Sequence, residues 1–126
     1  QVTVSKMAPP GVEIALGIVR DPQFGPLVLV GAGGVLVEVL NDRRLAMPPL
    51  DELRAHSMID RLQVRALLEG VRGQPTADVD ALMQAIVNLS WLAIDLGDHL
   101  EALDANPIIC SPTGCFTVDA LVIPRT

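Results

Sequence analysis

Apolar residues recur at every second position in several short segments of the first forty residues, which is the period of a β-strand. Val2–Met7 and Val35–Leu40 alternate in this way, and two further strand-like apolar segments, Val12–Val19 and Leu27–Val30, lie between them. They are separated by turn-forming stretches at Pro9–Gly11, Asp21–Pro26 and Gly31–Gly34. The pattern therefore predicts four strands in this part of the chain, with the first two paired antiparallel.

The apolar period changes to about 3.6 residues after Pro48 and Pro49, which is typical of an amphipathic helix. A short helix is predicted within Leu50–Leu62. A longer one is predicted from Asp78 to about Leu96, with Thr76 or Asp78 as its N-cap. Its predicted buried stripe consists of Val79, Leu82, Met83, Ile86, Leu89, Ser90 and Ala93.

Two further strands are predicted near the end of the chain, at Ala102–Cys110 and Phe116–Ile123, joined by a turn at Ser111–Gly114. The resulting order, four strands, two helices and two strands, has no alternation of single strands with single helices. Such an order favours an α+β fold, in which helices pack on one face of an antiparallel sheet. We expect residues 1–126 to form a single domain.

The charge and composition exclude some classes of function. The chain has 126 residues, of which half are hydrophobic, a net charge of −6, and only three aromatic side chains. Its largest basic cluster is Arg43–Arg44, so binding to a nucleic-acid backbone is not expected. No uninterrupted apolar run reaches the roughly 18 residues that cross a bilayer, so we expect a water-soluble domain. The start of the chain, Gln1–Met7, lacks the features of a secretory signal.

Two cysteines, Cys110 and Cys115, are too few for a disulfide framework or a cysteine zinc site. We expect them to be reduced and the protein to be cytoplasmic, although they flank a predicted turn and can face each other across a hairpin. No serine, cysteine or histidine has a catalytic partner at a recognisable spacing, so the sequence does not predict a hydrolase.

Three oxygen-bearing side chains form the clearest chemical motif. Asp104 and Asn106 are two apart on a predicted strand and share a face, and a hairpin can bring Asp119 beside them. Carboxylate and amide oxygens suit Mg²⁺, which binds one or two protein carboxylates together with nucleotide phosphates. The alternative is that Asn106 and Pro107 begin a turn and the two aspartates are solvated.

Two further features each allow two interpretations: the glycines of Gly31–Gly34, and three charged residues within the predicted strands. Backbone N–H groups of a glycine-rich loop can approach a phosphate closely, but the loop matches no phosphate-binding motif and can be a plain turn. Glu13, Arg20 and Glu38 interrupt apolar strands. They mark either a solvated sheet face or a site, and the aliphatic neighbours of Glu38 favour a site there.

Several motifs occur together in the same order along the chain, namely Met7–Glu13, Gly17–Pro26, Gly31–Leu40, Leu68–Gly73 and Leu103–Pro107. In this combination the chain resembles the C-terminal half of the ATP-grasp domain of ADP-forming (NDP-forming) acyl-CoA synthetases. It is also similar to the same region of the succinyl-CoA synthetase β subunit and of the acyl-CoA-synthetase-like part of protein acetyltransferases.

The resemblance implies an acid–thiol ligase that uses ATP and Mg²⁺ and acts through an acyl phosphate and a phosphohistidine on another part of the parent protein. It implies metal ligands at Asn106 and Asp119, with Asp104 as a further ligand or a nearby acid. It implies nucleotide contacts at Lys6 and Met7, phosphate contacts at Gly33 and Gly34, and catalytic roles for Arg20 and Glu38. Relatives commonly carry an acidic residue where this chain has Lys6.

The resemblance also implies that the N-terminal half of the ATP-grasp domain and a CoA-binding part belong to the parent protein and are absent from these 126 residues. We therefore expect little or no activity from this chain alone, and we expect CoA and the carboxylic acid to bind through the parent. The alternative is a non-catalytic regulatory or assembly module that retains the ATP-grasp fold in a larger protein such as an acyltransferase.

Overall fold

The structure is a computed structural model that describes residues 11–33, 42–68 and 76–125. In these residues six antiparallel strands form one sheet, in the order β3-β2-β1-β4-β5, with β6 also paired to β4. The strands are β1 (Val12–Asp21), β2 (Gly25–Ala32), β3 (Arg43–Ala46), β4 (Leu100–Ser111), β5 (Gly114–Thr117) and β6 (Ala120–Pro124). The helices are α1 (Glu52–Asp60), α2 (Arg65–Leu68) and α3 (Val79–Leu96), and a 3₁₀ turn at Gly97–His99 follows α3.

Strand β1 lies at the centre of the sheet because it is apolar on the helix-facing side and carries small residues on the other. Ile14 and Leu16 belong to the main core cluster, where they join Val28 and Val30 of β2 and Leu82 of α3. Burial of a large aliphatic side chain contributes about 1.5 to 3 kcal/mol, so this interdigitation is the main source of stability. The predicted α+β architecture, an antiparallel sheet with helices on one face, is confirmed.

Helix α3 packs on the sheet through Leu82, Ile86, Ser90 and Ala93, all of which are buried. Of the other predicted stripe residues, Val79, Met83 and Leu89 are partly buried against the core. The N-cap is Asp78, whose side chain accepts a hydrogen bond from the Ala81 N–H at 3.0 Å. By length and composition alone, the segment Val79–His99 could cross a membrane. One face of this helix is buried, through Leu82, Ile86, Ser90 and Ala93.

Buried polar side chains fix the chain segments on either side of α1. Ser90 accepts a hydrogen bond from the Leu50 N–H at 2.9 Å and donates one to the Val87 carbonyl at 2.7 Å. The carboxylate of Asp42, which is 1% exposed, accepts the N–H groups of Gln63 at 2.8 Å and Val64 at 2.9 Å. These contacts fix the chain before α1 and between α1 and α2.

Three details of the predicted elements need correction. The segment Phe116–Ile123 is two strands, because β5 pairs with the second half of β4 and β6 with the first half. Strand β2 continues through Gly31 and Ala32, which pair with β1. Strand β3 and helix α2 were not predicted. The segments Val2–Met7 and Val35–Leu40 lie outside the described residues.

Candidate functional site

The middle of β4 and the connection between β5 and β6 bring two of the three predicted metal ligands together. The Asn106 N–H donates to the Asp119 carbonyl at 3.2 Å, and the Val118 N–H donates to the Pro107 carbonyl at 3.1 Å. A bulge lies here, because β4 contributes two residues, Asn106 and Pro107, where β1 contributes only one. The bulge and these two bonds hold Asn106 beside the connection between β5 and β6.

Asp104 lies two residues earlier on β4 and on the sheet face opposite the helices. Its neighbours Leu103 and Ala105 pack into the core, so the strand alternation turns Asp104 away from it. It is exposed and pairs with Gly17 of β1 on one side and Leu121 of β6 on the other. Asp104 is therefore paired across the β4–β6 ladder with Leu121, which lies two positions after Asp119.

The sequence predicted that Asp119 lies on a strand, and this prediction is wrong. Asp119 lies in the two-residue break between β5 and β6. The break exists because the two strands pair with different halves of β4. Asp119 is exposed, and its Oδ1 accepts the Ala120 N–H at 2.9 Å. An exposed position outside the strands accepts an aspartate at little cost, so the residue type alone does not indicate a functional role here.

The donor set fits a hard cation. Neither Asp104 nor Asp119 has a salt bridge within the part of the chain that the structure describes, so their negative charges face no protein cation there. Among the same residues, no group of three His, Cys, Asp or Glu side chains could hold a metal ion. A metal at this place would therefore use the two carboxylates with an amide oxygen of Asn106, a set that suits Mg²⁺ when nucleotide phosphates complete it. The assignment of these three residues as ligands stays a prediction.

Gly33 is required by a close approach of two backbones. A Cβ at this position would lie 2.8 Å from the backbone N and C of Ile14. The Gly33 N–H already donates to the Glu13 carbonyl at 2.9 Å. The structure thus explains this glycine by sheet packing, and a contact between its N–H and a phosphate would compete with that hydrogen bond.

Arg20 lies at the other end of β1 from Gly33. Its Nη2 donates to the carbonyls of Gly97 and Leu100, the latter at 2.7 Å, and its Nε is 3.9 Å from Glu101 Oε1. Arg20 is seven residue steps along β1 from Glu13, the partner of Gly33, which corresponds to about 23 Å. The structure therefore does not bring Arg20 and Gly33 together. The remaining predicted site residues, Lys6, Met7, Gly34 and Glu38, lie outside the described residues.

Gly17 is a neighbour of the candidate site that was not among the predicted site residues. A Cβ here would lie 2.7 Å from the Leu103 carbonyl oxygen, so the position next to Asp104 accepts only glycine without a backbone shift. The signal was present in the sequence. Large residues at 14, 16 and 18 alternate with small Ala15 and Gly17, which marks one strand face for packing and the other for close approach.

Comparison with known proteins agrees with this fold. Residues 1–123 match the family of ATP-grasp domains. The chain is 39% identical over 118 residues to acetate–CoA ligase [ADP-forming] I of Archaeoglobus fulgidus, covering 94% of this chain and 17% of that protein. It is 35% identical over 124 residues to the β subunit of acetate–CoA ligase [ADP-forming] II of Pyrococcus furiosus, covering 97% of this chain and 52% of that subunit.

A solved structure of acetyl-coenzyme A synthetase 1 from Ca. Korarchaeum cryptofilum, in complex with coenzyme A and Mg-AMPPCP, superposes with a TM-score of 0.89. The identity is 41%, and the match covers 94% of this chain and 55% of that chain. The chain thus spans about half of the P. furiosus subunit and of the superposed chain, and less of the longer ligases. It belongs to the ATP-grasp domain family, in the form that ADP-forming acetate–CoA ligases carry.

Proposed function

We propose that this chain forms one half of the nucleotide site of an ADP-forming acyl-CoA ligase. The other half of the ATP-grasp domain and the CoA-binding part belong to the rest of the parent protein, which carries the acyl phosphate and phosphohistidine steps. The relatives named above support the ligase class. The Korarchaeum complex, with its Mg-AMPPCP and its phosphohistidine segment pointing towards the nucleotide site, supports the type of ligand.

The observation that carries the proposal is the pairing of Asn106 with Asp119 beside Asp104. The 3.2 Å hydrogen bond from the Asn106 N–H to the Asp119 carbonyl sets their relative position through the backbone, independently of their side chains. Asp119 uses Oδ1 for the Ala120 N–H, and no contact of its Oδ2 is made within the described part of the chain.

In this proposal Asn106 and Asp119 hold Mg²⁺, with Asp104 as a third ligand or as an acid that orients a metal-bound water. The metal would offset the negative charge that develops on the phosphoryl group during transfer. The chain's own contribution is rigidity, because the bulge, the paired strands and the Gly17 contact all limit movement of the three side chains. Preorganised oxygen ligands lose little free energy to reorganisation at the moment of transfer.

The test is Asp119→Asn in the full-length protein, because this change keeps the shape of the side chain and the acceptor for Ala120 but removes the charge. We expect ADP-forming acyl-CoA synthesis to fall by about 100-fold or more, in line with the loss of a metal or oxyanion contact. We also expect weaker binding of Mn²⁺-nucleotide, measured by electron paramagnetic resonance, which reads the site without turnover. The matched control is Asp98→Asn, an exposed aspartate in the 3₁₀ turn after α3.

Near-normal synthesis and Mn²⁺-nucleotide binding in Asp119→Asn would remove Asp119 from the site. If the full-length protein without substitutions binds Mn²⁺-nucleotide but forms no acyl-CoA from any carboxylic acid tested, that result would favour a regulatory module over a ligase. Steady turnover by the 126-residue chain alone would contradict the proposal that it is half of the site.

A further inference from the structure

The two cysteines of the chain face each other across the β4–β5 hairpin. Cys110 and Cys115 are directly opposite in the antiparallel register, and their sulfur atoms are 3.1 Å apart. Both are free thiols in the structure. Directly opposite residues of an antiparallel pair have Cα atoms about 4.5 to 5.5 Å apart. That spacing lies within the range of about 4.4 to 6.8 Å that a disulfide spans.

The spacing suits a disulfide better than a metal. A disulfide bond is about 2.05 Å long, so the sulfurs must approach by only about 1 Å. Two thiolates on one tetrahedral zinc, with Zn–S near 2.3 Å, lie about 3.8 Å apart, and zinc needs two further ligands. No third His, Cys, Asp or Glu joins the pair among the residues that the structure describes.

The two thiols have unequal surroundings. Cys110 is 1% exposed and belongs to the core cluster, whereas Cys115 is partly exposed and its sulfur lies 3.8 Å from the Asp78 carbonyl oxygen. The hydrogen bond between the sulfurs lowers the pKa of Cys115 from its usual value, and the same bond together with burial raises the pKa of Cys110. Cys115 is therefore the more accessible of the two thiols and the one that loses its proton more easily.

We propose that Cys110 and Cys115 form a reversible dithiol–disulfide site that locks the β4–β5 hairpin. A small disulfide such as glutathione disulfide supplies the oxidising equivalents. The Cys115 thiolate attacks one of its sulfurs, forms a mixed disulfide and releases one glutathione thiolate. The Cys110 sulfur then attacks the Cys115 sulfur, its proton passes to the second departing glutathione, and the cysteine pair has lost two electrons and two protons in all.

The crosslink would act where the hairpin meets α3. The Asp78 N–H donates to the Ser111 carbonyl at 2.8 Å, and Asp78 is also the N-cap of α3. Because the reduced native state already holds the two sulfurs together, the disulfide and the native fold favour each other by linkage. The oxidised protein is therefore expected to melt at a higher temperature than the reduced protein.

The test uses the unmodified full-length protein in buffers of glutathione and glutathione disulfide, from cytosolic to more oxidising ratios. Free thiols are quenched by alkylation and the protein is digested with trypsin. Both cysteines lie in one tryptic peptide, 73–125, because no lysine or arginine interrupts it. We expect a form of this peptide that is lighter than the reduced, unalkylated peptide by two hydrogen atoms. Its abundance should exceed that of the glutathione adduct by about tenfold or more, since the neighbouring thiol reacts at a high effective concentration. Dithiothreitol should reverse the change.

Two variants test the order of attack. Cys110→Ala should leave Cys115 carrying glutathione, because no second thiol releases it. Cys115→Ser should leave the buried Cys110 reduced. Full alkylation of both cysteines at the most oxidising ratio would overturn the proposal. It would also be overturned by separate glutathione adducts on both residues, or by an internal disulfide that forms only in urea.

Discussion

Asp42 offers a sharp test of how the helical layer is fixed to the sheet. Its buried carboxylate accepts two backbone N–H groups, from Gln63 and Val64, at 2.8 and 2.9 Å. Asp42→Ala leaves both donors without this acceptor. A hydrogen bond to a charged group contributes about 1.5 to 3 kcal/mol, and an unsatisfied buried donor costs about 1 to 3 kcal/mol. Gln63 is exposed and water can replace its lost partner, whereas Val64 is 2% exposed. We therefore expect a total loss of about 2 to 4 kcal/mol.

The assay is urea denaturation, with the free energy of unfolding extrapolated to water and the slope expected to stay constant. The free energy of unfolding of Asp42→Asn should lie between those of the unmodified protein and of Asp42→Ala, because its amide keeps one acceptor oxygen but turns an N–H₂ group towards the second donor. Asp95→Ala is the matched control, since Asp95 is exposed on α3, and its effect should stay within about 0.5 kcal/mol. A loss below about 1 kcal/mol in Asp42→Ala would refute the reasoning, because it would mean that neither N–H depends on this carboxylate.

Two further predictions concern packing and pH. Leu82→Asp should unfold the domain, because Leu82 is fully buried and a buried charge costs more free energy than a typical total stability of about 5 to 15 kcal/mol can offset. The control Leu53→Asp, at an 80% exposed leucine of α1, should melt normally. A cooperative melt of Leu82→Asp, measured by circular dichroism, would count against this core. Hydrogen bonding to Arg65 lowers the pKa of Asp60 below its usual value, so its stabilising effect is present near neutral pH and is lost as the pH falls through the folded-state pKa. Because this ion pair is exposed, Asp60→Asn should reduce the free energy of unfolding by less than about 1 kcal/mol at pH 7. The loss should shrink as the pH falls through the folded-state pKa, and a loss that does not change with pH would exclude the charge as its cause.

The sequence predicted the elements whose hydrophobic period is long and regular. Helix α3 was placed to within a residue, and its N-cap is Asp78, one of the two residues that were predicted for that position. Strand β3 was missed because its Arg43 and Arg44 are not apolar, and it exists through pairing with β2 at the sheet edge. Local pattern carries no information about such pairing, which depends on residues distant in sequence.

The same limit explains the error at the end of the chain. Phe116–Ile123 is apolar enough to read as one strand, but the 12 residues of β4 offer two separate edges, one for β5 and one for β6. The bulge at Asn106 and Pro107 falls between them. The predicted closeness of Asn106 and Asp119 depended only on a hairpin, and it is found in the structure, whereas the environment of Asp119 depended on the exact pairing.

Arg20 was predicted to act in the nucleotide site, but its contacts in the structure also support a stabilising role. The two roles lead to opposite predictions. Its guanidinium donates to the carbonyls of Gly97 and Leu100, at the negative end of the α3 dipole, with its side chain 16% exposed. Arg20→Gln should therefore lower the free energy of unfolding by about 2 to 4 kcal/mol, from two charge-assisted hydrogen bonds reduced by partial solvation. Arg20→Lys should lose less, because one ammonium can still reach one carbonyl. If the interaction is purely structural, the KM for ATP of the full-length protein stays unchanged in both variants under conditions where they are folded. If Arg20 neutralises phosphate, the KM rises about tenfold or more while the melting temperature hardly moves, and that result would place Arg20 back in the nucleotide site.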